Sequence, residues 1–390
     1  TSSNWFFGST RQPYVNTPGL VDPTLTWVTT TTRNFGVEAS FLNKRLTAVF
    51  DTYTRKMDDY IGPAQELPGV LGISAPRTNS TALETKGFEL TLAWNDNIGD
   101  FKYGVRGVLS DYHGRVTKYP NPNKLLNTWY EGQQMGEIWG FVTDRYFTAA
   151  DDLPNVKQMG LSNWSPGDIK YVDLNGDGKI DGGKGTAEDH GDLKVIGNTL
   201  PRYEYSFHLG GTYCGFDIDF FFQGVGKRDM WTLSSLAFPE MRAADLAIYS
   251  NQTRYNVYDP ANNVVNINQS NDFPCLYAGN EGAGNVAALS QIGGEHNYYP
   301  QTKYLVDMSY LRLKNITLGY TVPQSILRHI YIQKIRLYGS VNNLCLLHNG
   351  CGKLPIDPEM NDGQGALTYG TWGRTYPITR SWSVGLEVTF

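Results

Sequence analysis

Apolar and polar side chains alternate with a period of two through most of the chain. Along residues 203–213 one face carries Tyr203, Tyr205, Phe207, Leu209, Gly211 and Tyr213, and the other carries Glu204, Ser206, His208, Gly210 and Thr212. Residues 216–224 set Phe216, Ile218, Phe220 and Phe222 against Asp217, Asp219, Phe221 and Gln223. The last segment sets Trp382, Val384, Leu386, Val388 and Phe390 against Ser381, Ser383, Gly385, Glu387 and Thr389. Successive side chains point to opposite faces of a β-strand, so each segment predicts a strand with one apolar and one polar face. The pattern recurs in residues 34–41, 45–53, 87–94, 101–109, 310–320 and 335–344. Near Lys314 and Asn315 the apolar parity slips by one residue, which predicts a β-bulge.

The alternation predicts nine strands, most of about nine to eleven residues, a length that spans a bilayer when tilted by about 45°. Short connections fall at Leu42-Asn43, 95–100, Cys214-Gly215 and 322–333, and long ones at 56–83, 113–202, 227–302 and 346–377. The two kinds alternate strictly. Outer-membrane barrels sort their connections in this way, with short turns inside and long loops outside. Residues 136–147 (GEIWGFVTDRYF) also look like a strand, but one membrane strand there inverts the loop order for everything before it. Either this segment pairs with a second strand, with 168–172 as the candidate, or it sits outside the membrane. The second option is preferred, within a folded extracellular excursion over 113–202. Residues 227–302 are expected to form another long extracellular loop. Single-chain bacterial barrels have even strand counts, and the largest, plugged ones have about 22. The expectation is therefore an all-β fold in which residues 1–390 are the C-terminal part of a large plugged transmembrane β-barrel. The plug and the N-terminal strands are expected to precede Thr1.

Composition narrows the alternatives. Charged residues make up 18% of the chain, below the roughly 25% usual for soluble globular proteins. Aromatics make up 13%, with 25 Tyr and 17 Phe, which excludes a disordered chain. The formal net charge of -5 without a basic run excludes a nucleic-acid partner. No stretch approaches about 18 consecutive apolar residues, so a transmembrane helix is excluded, and a barrel is not. Tyr, Trp and Phe crowd the apolar faces near strand ends, as in the aromatic girdles of membrane barrels. A soluble β-sandwich also has alternating faces, but it has no reason to sort its loops by length. Of the four cysteines, Cys214, Cys275, Cys345 and Cys351, the last two are close enough to be bridged in an oxidising compartment or to remain thiols. No charged-then-apolar leader opens the chain.

Several blocks resemble the SusC/RagA-type TonB-dependent outer-membrane transporters. They are TTTTRNFGVEASFLNKRLTAVFDTYTRKMDDYI (29–61), ETKGFELTLAW (84–94) and GDIKYVDLNGDGKID (167–181). VIGNTLPRYEYSFHLGGTYCGFDIDFFFQGVGKRDMW (195–231), YLRLKNITLGYTVP (310–323) and the closing strand to Phe390 complete the set. The blocks cover about half the chain, in order. The resemblance implies a barrel of about 22 strands with an N-terminal plug. It also implies energy from TonB and a SusD-like surface lipoprotein acting as a hinged lid. The implied function is active import of oligosaccharides, or in some cases oligopeptides, across the outer membrane of a Gram-negative bacterium. The terminal Phe390 is similar to the signal read by the barrel-assembly machinery.

Residues 173–181 (DLNGDGKID) match the first nine positions of an EF-hand-type calcium loop. Asp173, Asn175, Asp177, Lys179 (through its carbonyl) and Asp181 are the candidate ligands of a structural Ca²⁺. The twelfth position is Lys184 where a Glu is usual, and Glu188 or Asp189 are candidates to replace it. The same residues also suit a turn held by its own side-chain bonds, without metal. Aromatics on the long loops are candidate substrate contacts: Trp129, Tyr130, Trp164, Trp231, Tyr298, Tyr299, Tyr369 and Trp372. Polar strand residues such as Glu89, Arg106, Asp217 and Asp219 are expected to face the lumen. The chain carries no HExxH, GxSxG, Walker-type or GxGxxG motif, and its six His are dispersed, so no enzyme is read. The runner-up is a secreted, calcium-stabilised β-protein that binds or hydrolyses glycans. A passive porin needs neither long loops nor a plug.

Overall fold

A computed structural model describes the chain except residues 1, 8–9, 16–18, 65–69, 71–74, 161–163, 232–254, 260–263, 276–296, 298, 329–331, 361–375 and 377. Its frame is a nine-stranded sheet. In chain order the strands are β1 (Thr29–Phe41), β2 (Leu46–Gly62), β3 (Thr78–Ile98), β4 (Phe101–Lys118) and β5 (Arg202–Tyr213). They continue as β6 (Phe216–Lys227), β7 (Tyr310–Thr321), β8 (Lys334–Asn349) and β9 (Ser381–Thr389). Each strand pairs antiparallel with its neighbours in sequence, so the sheet is a simple meander from β1 to β9. Among the described residues no helix is long and apolar enough to cross a membrane.

The cross-strand register turns the sequence alternation into two distinct faces. Partners opposite each other share a face. One row runs Phe41, Leu46, Trp94, Val105, Leu209, Phe220, Ile316, Val341 and Trp382, one apolar residue from each of the nine strands. The neighbouring row on the opposite face reads Ser40, Thr47, Ala93, Arg106, His208, Phe221, Asn315, Asn342 and Ser381. The ridge of Phe216, Ile218, Phe220 and Phe222 does not pack against a second sheet: Phe216 is 56% exposed, and Trp382 and Val384 are more open still. Phe216 meets Tyr320 of its own sheet, the two rings 4.7 Å apart.

The predicted bulge is present and keeps the faces consistent. Phe221 stands opposite Asn315 and Phe222 opposite Leu313, so Lys314 is the extra residue. Without it, Leu311 and Leu313 would share a face with Asn315 and Thr317 instead of Ile316 and Leu318. On β8 the ladder shifts at the same level, where Asn343 adopts a φ of 53°.

Cys214 and Gly215, both at positive φ, make a two-residue hairpin loop between β5 and β6. A Cβ at Gly215 would lie 2.7 Å from the Thr321 carbonyl, so only glycine fits there. Gly99 and Asp100 alone separate β3 from β4, a tighter connection than the predicted 95–100, because both strands continue into it. Residues 42–45 form the β1–β2 turn, and the β7–β8 connection holds a single helical turn, Gln324–Leu327. At the other end β2, β3 and β4 run well past the predicted limits, pairing Tyr60 with Thr81 and Leu83 with Val116. Thr81, Ala82, Leu83 and Val116 are buried there. The extensions are rich in polar residues, such as Lys56, Asp58 and Asp59 on β2 and His113, Arg115 and Thr117 on β4, so no apolar face alternates there for periodicity to mark.

Cys214, Cys345 and Cys351 are free thiols. Cys351 is buried with its sulfur 3.5 Å from that of Met308, and burial pushes its thiol up to about 12. Cys214 is exposed on its turn. A thiolate-directed alkylating reagent is expected to label Cys214 in the folded full-length protein and to leave Cys351 untouched until denaturation. Mass spectrometry of the modified peptides checks this.

The facing of the rows is itself testable. Leu209→Arg, in the middle of the apolar row, is expected to lower barrel stability in lipid by about 2–4 kcal/mol, the cost of a cation at bilayer mid-depth. Ser206→Arg, on the opposite face of the same strand, should cost far less. Urea unfolding of the two full-length variants in liposomes measures the difference, and equal losses would contradict the assignment.

Candidate functional site

The polar face of the sheet holds a trough of about 1030 Å³ near the short-turn end, lined by Arg106, His208, Asp217, Asp219, Thr317 and Arg336 among others. Two side-chain contacts cross it, one of them an ion pair. Arg336 holds Asp217 through two bonds, 3.0 Å from Nε and 2.5 Å from Nη2. It reaches across β7 because the residue between is Gly319, where a Cβ would lie 2.5 Å from both Asp217 oxygens. His208 Nε2 lies 2.7 Å from Asp219 Oδ2. Asp217, Asp219 and Arg106 are therefore on one polar surface, as expected from their parity.

Residues 119–201 fold as a body beyond the long-loop end of the sheet. Glu137–Gly140 pairs with Lys194–Asn198, and Thr143–Tyr146 pairs with Ile169–Tyr171. The segment 136–147 thus contributes two short strands, one of which has the partner named from the sequence, and neither belongs to the nine-stranded sheet. The free side of Ile169–Tyr171 is completed by side-chain amides. Gln158 accepts from Tyr171 N–H and donates to the Ile169 carbonyl, both at 2.9 Å, and Asn297 accepts from Ile169 N–H at 2.6 Å. Gln301 donates to the Tyr171 hydroxyl and the Asn297 carbonyl. Gln158, Asn297 and Gln301 are fully buried. Because Asn297 and Gln301 belong to the β6–β7 loop, the two longest connections share one core, with Phe141, Tyr146, Ile169 and Tyr171 at its centre.

Ion pairs brace the long-loop end of the sheet. Arg202, where the chain returns to β5, holds the buried Asp111 of β4 through two 2.6 Å bonds. Arg312 and Lys314 of β7 bind Asp357 and Glu359 of the β8–β9 connection at 2.5–3.0 Å. That connection also adds Cys351 and Ile356 to a second apolar cluster with Met230, Trp231, Val306 and Met308.

The predicted substrate aromatics have unequal fates. Tyr130, Trp164 and Trp231 are buried and offer no open ring face. The Tyr130 hydroxyl donates to Glu137, which also accepts from Trp139 Nε1 at 2.8 Å. Trp164 donates to the Gln158 carbonyl at 3.1 Å and lies 5.8 Å from the Phe147 ring. Tyr299 packs edge-on to Phe141 at 5.9 Å. Trp129 is partly open, 38% exposed, and leans on Tyr119 at 5.9 Å. Tyr298, Tyr369 and Trp372 lie outside the described residues.

The candidate calcium ligands share one loop, and its own N–H groups engage their oxygens. Gly176 and Gly178 donate to Asp173, Asp177 to Asn175, Lys179 to Asp177, and Gly183 to Asp181, at 2.6–2.9 Å. The loop rests on a residue outside the motif. Asp192, almost fully buried, accepts from the N–H groups of Leu174, Asn175 and Asp181 at 2.6–3.2 Å. Asp189 and Glu188 are occupied by Lys184 and Lys124. Among the described residues no three His, Cys, Asp or Glu side chains are grouped to hold a metal ion. These bonds close the loop on itself, and the oxygens that accept them are the ones the motif would offer to a metal.

A sheet of this kind, apolar and uncovered on one side and polar on the other, is the wall of a transmembrane β-barrel. No family model matches the chain. It is 25% identical over 386 residues to TonB-dependent receptor P3 of Formosa agariphila, covering 94% of this chain and 34% of that protein. It is likewise 25% identical over 379 residues to TonB-dependent receptor SusC of Bacteroides thetaiotaomicron, covering 96% of this chain and 33% of that one. The chain thus spans about a third of the length of the curated relatives it matches. Its fold superposes on the structure of the RagAB peptide transporter with a TM-score of 0.67 at 18% identity, over 100% of this chain and 38% of that one. The fold and these likenesses are those of the SusC/RagA type of TonB-dependent receptor, and the chain matches the C-terminal barrel portion.

Asp192→Ala leaves three loop N–H groups without their acceptor. The expected cost to the 173–192 segment is about 3 kcal/mol. Hydrogen exchange of the full-length protein reads it as faster exchange at Leu174, Asn175 and Asp181, with the nine-stranded sheet unchanged.

Proposed function

We propose that the chain forms part of an energy-coupled importer in the outer membrane of a Gram-negative bacterium. The observation that carries the proposal is the nine-residue apolar row, uncovered by any second sheet among the described residues. In this reading the row meets lipid tails and the polar trough faces the lumen. The body made by residues 119–201 and 297–301 stands on the extracellular side. TonB drives transport through a plug supplied by the rest of the protein, and a SusD-like surface lipoprotein caps the loops. The cargo is an oligosaccharide or oligopeptide: Trp129 on the loop body suits a sugar face, and the likeness to the RagAB peptide transporter supports a peptide. A structural calcium on the 173–181 loop would stiffen that body and takes no step in transport.

The secreted glycan-binding alternative requires the apolar row to be covered in water, and nothing described covers it. Deleting tonB in the source bacterium is expected to reduce growth on the cargo to the level of a transporter deletion. Undiminished growth on every glycan and peptide that the transporter deletion cannot use would overturn active import. Extraction of the full-length protein into buffer without detergent would overturn the membrane placement as well.

A further inference from the structure

We propose that a second, smaller cavity in the loop body binds a carboxylate-bearing solute, with Lys303 as the group that recognises it. The cavity has a volume of about 400 Å³ and lies between Thr143–Tyr146, Gln269 and Thr302–Lys303, apart from the trough on the sheet. That is the lower end of the range for ligand sites, enough for one sugar or one amino-acid residue.

Its two cations differ in commitment. Arg145 is neutralised in place: its guanidinium holds Asp151 through bonds of 2.8 and 2.5 Å and donates to the Tyr146 carbonyl. That bond, with the N–H and hydroxyl of Thr148, holds the Asp151 carboxyl far below the usual carboxylate range. Lys303 has no carboxylate bonded to it among the described residues, Asp272 being the acid near enough to act on its charge. Its ammonium stands 4.8 Å above the Tyr146 ring and 6.0 Å from the Tyr304 ring, and its protein hydrogen bond is a long one, 3.4 Å to the Asn271 carbonyl. An ammonium has three protons to donate, so two remain for a ligand. The rings position the charge without cancelling it.

The walls around it are fixed and leave suitable groups free. The Gln269 amide is tied in both directions to the Tyr146 backbone, at 2.8 and 3.0 Å. Thr302 Oγ1 accepts from Thr143 N–H at 3.0 Å, which leaves its own proton for an incoming oxygen beside Lys303. Asp144, 45% exposed, supplies an acceptor for hydroxyl or amine protons. The complement is an acid that also carries such protons, namely a uronic acid residue or an acidic amino-acid residue. Binding of the acid stands by itself; that the acid belongs to the transported cargo rests on the import reading above.

The test is calorimetric titration of the full-length transporter in detergent with galacturonate, galactose, glutamate and glutamine. At least one acid is expected to bind more tightly than its neutral counterpart. Lys303→Gln should weaken that acid by about tenfold or more, the loss of a hydrogen bond to a charged group. Preference for galacturonate or for glutamate identifies the source of the carboxylate. Lys303→Gln protein must keep the wild-type thermal transition, and added salt should weaken the wild-type interaction in parallel. Equal affinity for acid and neutral pairs, indifference to Lys303→Gln, or no binding of either acid overturns the site. Such a failure with TonB-dependent growth intact would leave the import reading standing.

Discussion

The structure depends on one constraint: backbone N–H and C=O groups that enter hydrocarbon must be bonded within the protein. A continuous antiparallel ladder meets it, but a ladder fixes side-chain parity from strand to strand. An error of one residue anywhere would turn a run of Phe and Leu toward the polar side. The chain corrects one such error with a device of its own. The extra Lys314 on β7 lets Leu311 and Leu313 join the apolar face with Ile316 and Leu318, and the backbone ladder resumes on both sides. Lys314 then serves a second purpose, its ammonium meeting Glu359 of the β8–β9 connection.

That constraint explains what could be read from sequence. Where a strand has lipid on one side and polar surroundings on the other, its composition must alternate. All nine strands and the Cys214-Gly215 turn followed from that requirement. Where polar residues take over beyond the lipid, the apolar signal ends, and β2, β3 and β4 continue unseen to Gly62, from Thr78 and to Lys118. The loop body carries no periodic signal at all. Its order comes from buried amides such as Gln158, Asn297 and Gln301, which satisfy Ile169–Tyr171 across as many as 130 residues of sequence. No local pattern marks such a glutamine as buried. The same cause misplaced the aromatics. A tryptophan in a long connection reads as exposed, yet Trp164 and Trp231 are buried in cores that the loops build for themselves. In the calcium-like loop the motif was legible, and its support at Asp192, eleven residues beyond Asp181, was not.

The two parts of the molecule are stabilised differently. The sheet relies on its ladder and on lipid, while the loop body is a small globular structure with buried rings and satisfied polar groups. Ion pairs stand where both environments end: Arg202 ties β5 to Asp111 of β4, and Arg312 ties β7 to Asp357 and Glu359 of the β8–β9 connection. These pairs are largely shielded from solvent, so breaking one partner would leave an uncompensated charge, a far larger loss than at an open surface.

The same constraint reaches the two margins of the sheet. β1 and β9 each have one neighbour within the sheet, which leaves a row of ladder groups on each strand without a partner among the described residues. In water such an edge is tolerated; in hydrocarbon every open N–H and C=O costs several kcal/mol. Yet these are strands with strongly apolar outer faces, Phe35, Val37 and Phe41 at one margin and Trp382, Val384 and Leu386 at the other, all open. A surface built for lipid on strands whose edges cannot stand alone in lipid requires further strands on both sides. The nine strands are thus an arc of a larger closed wall, in keeping with a chain that covers 33–38% of the proteins it matches.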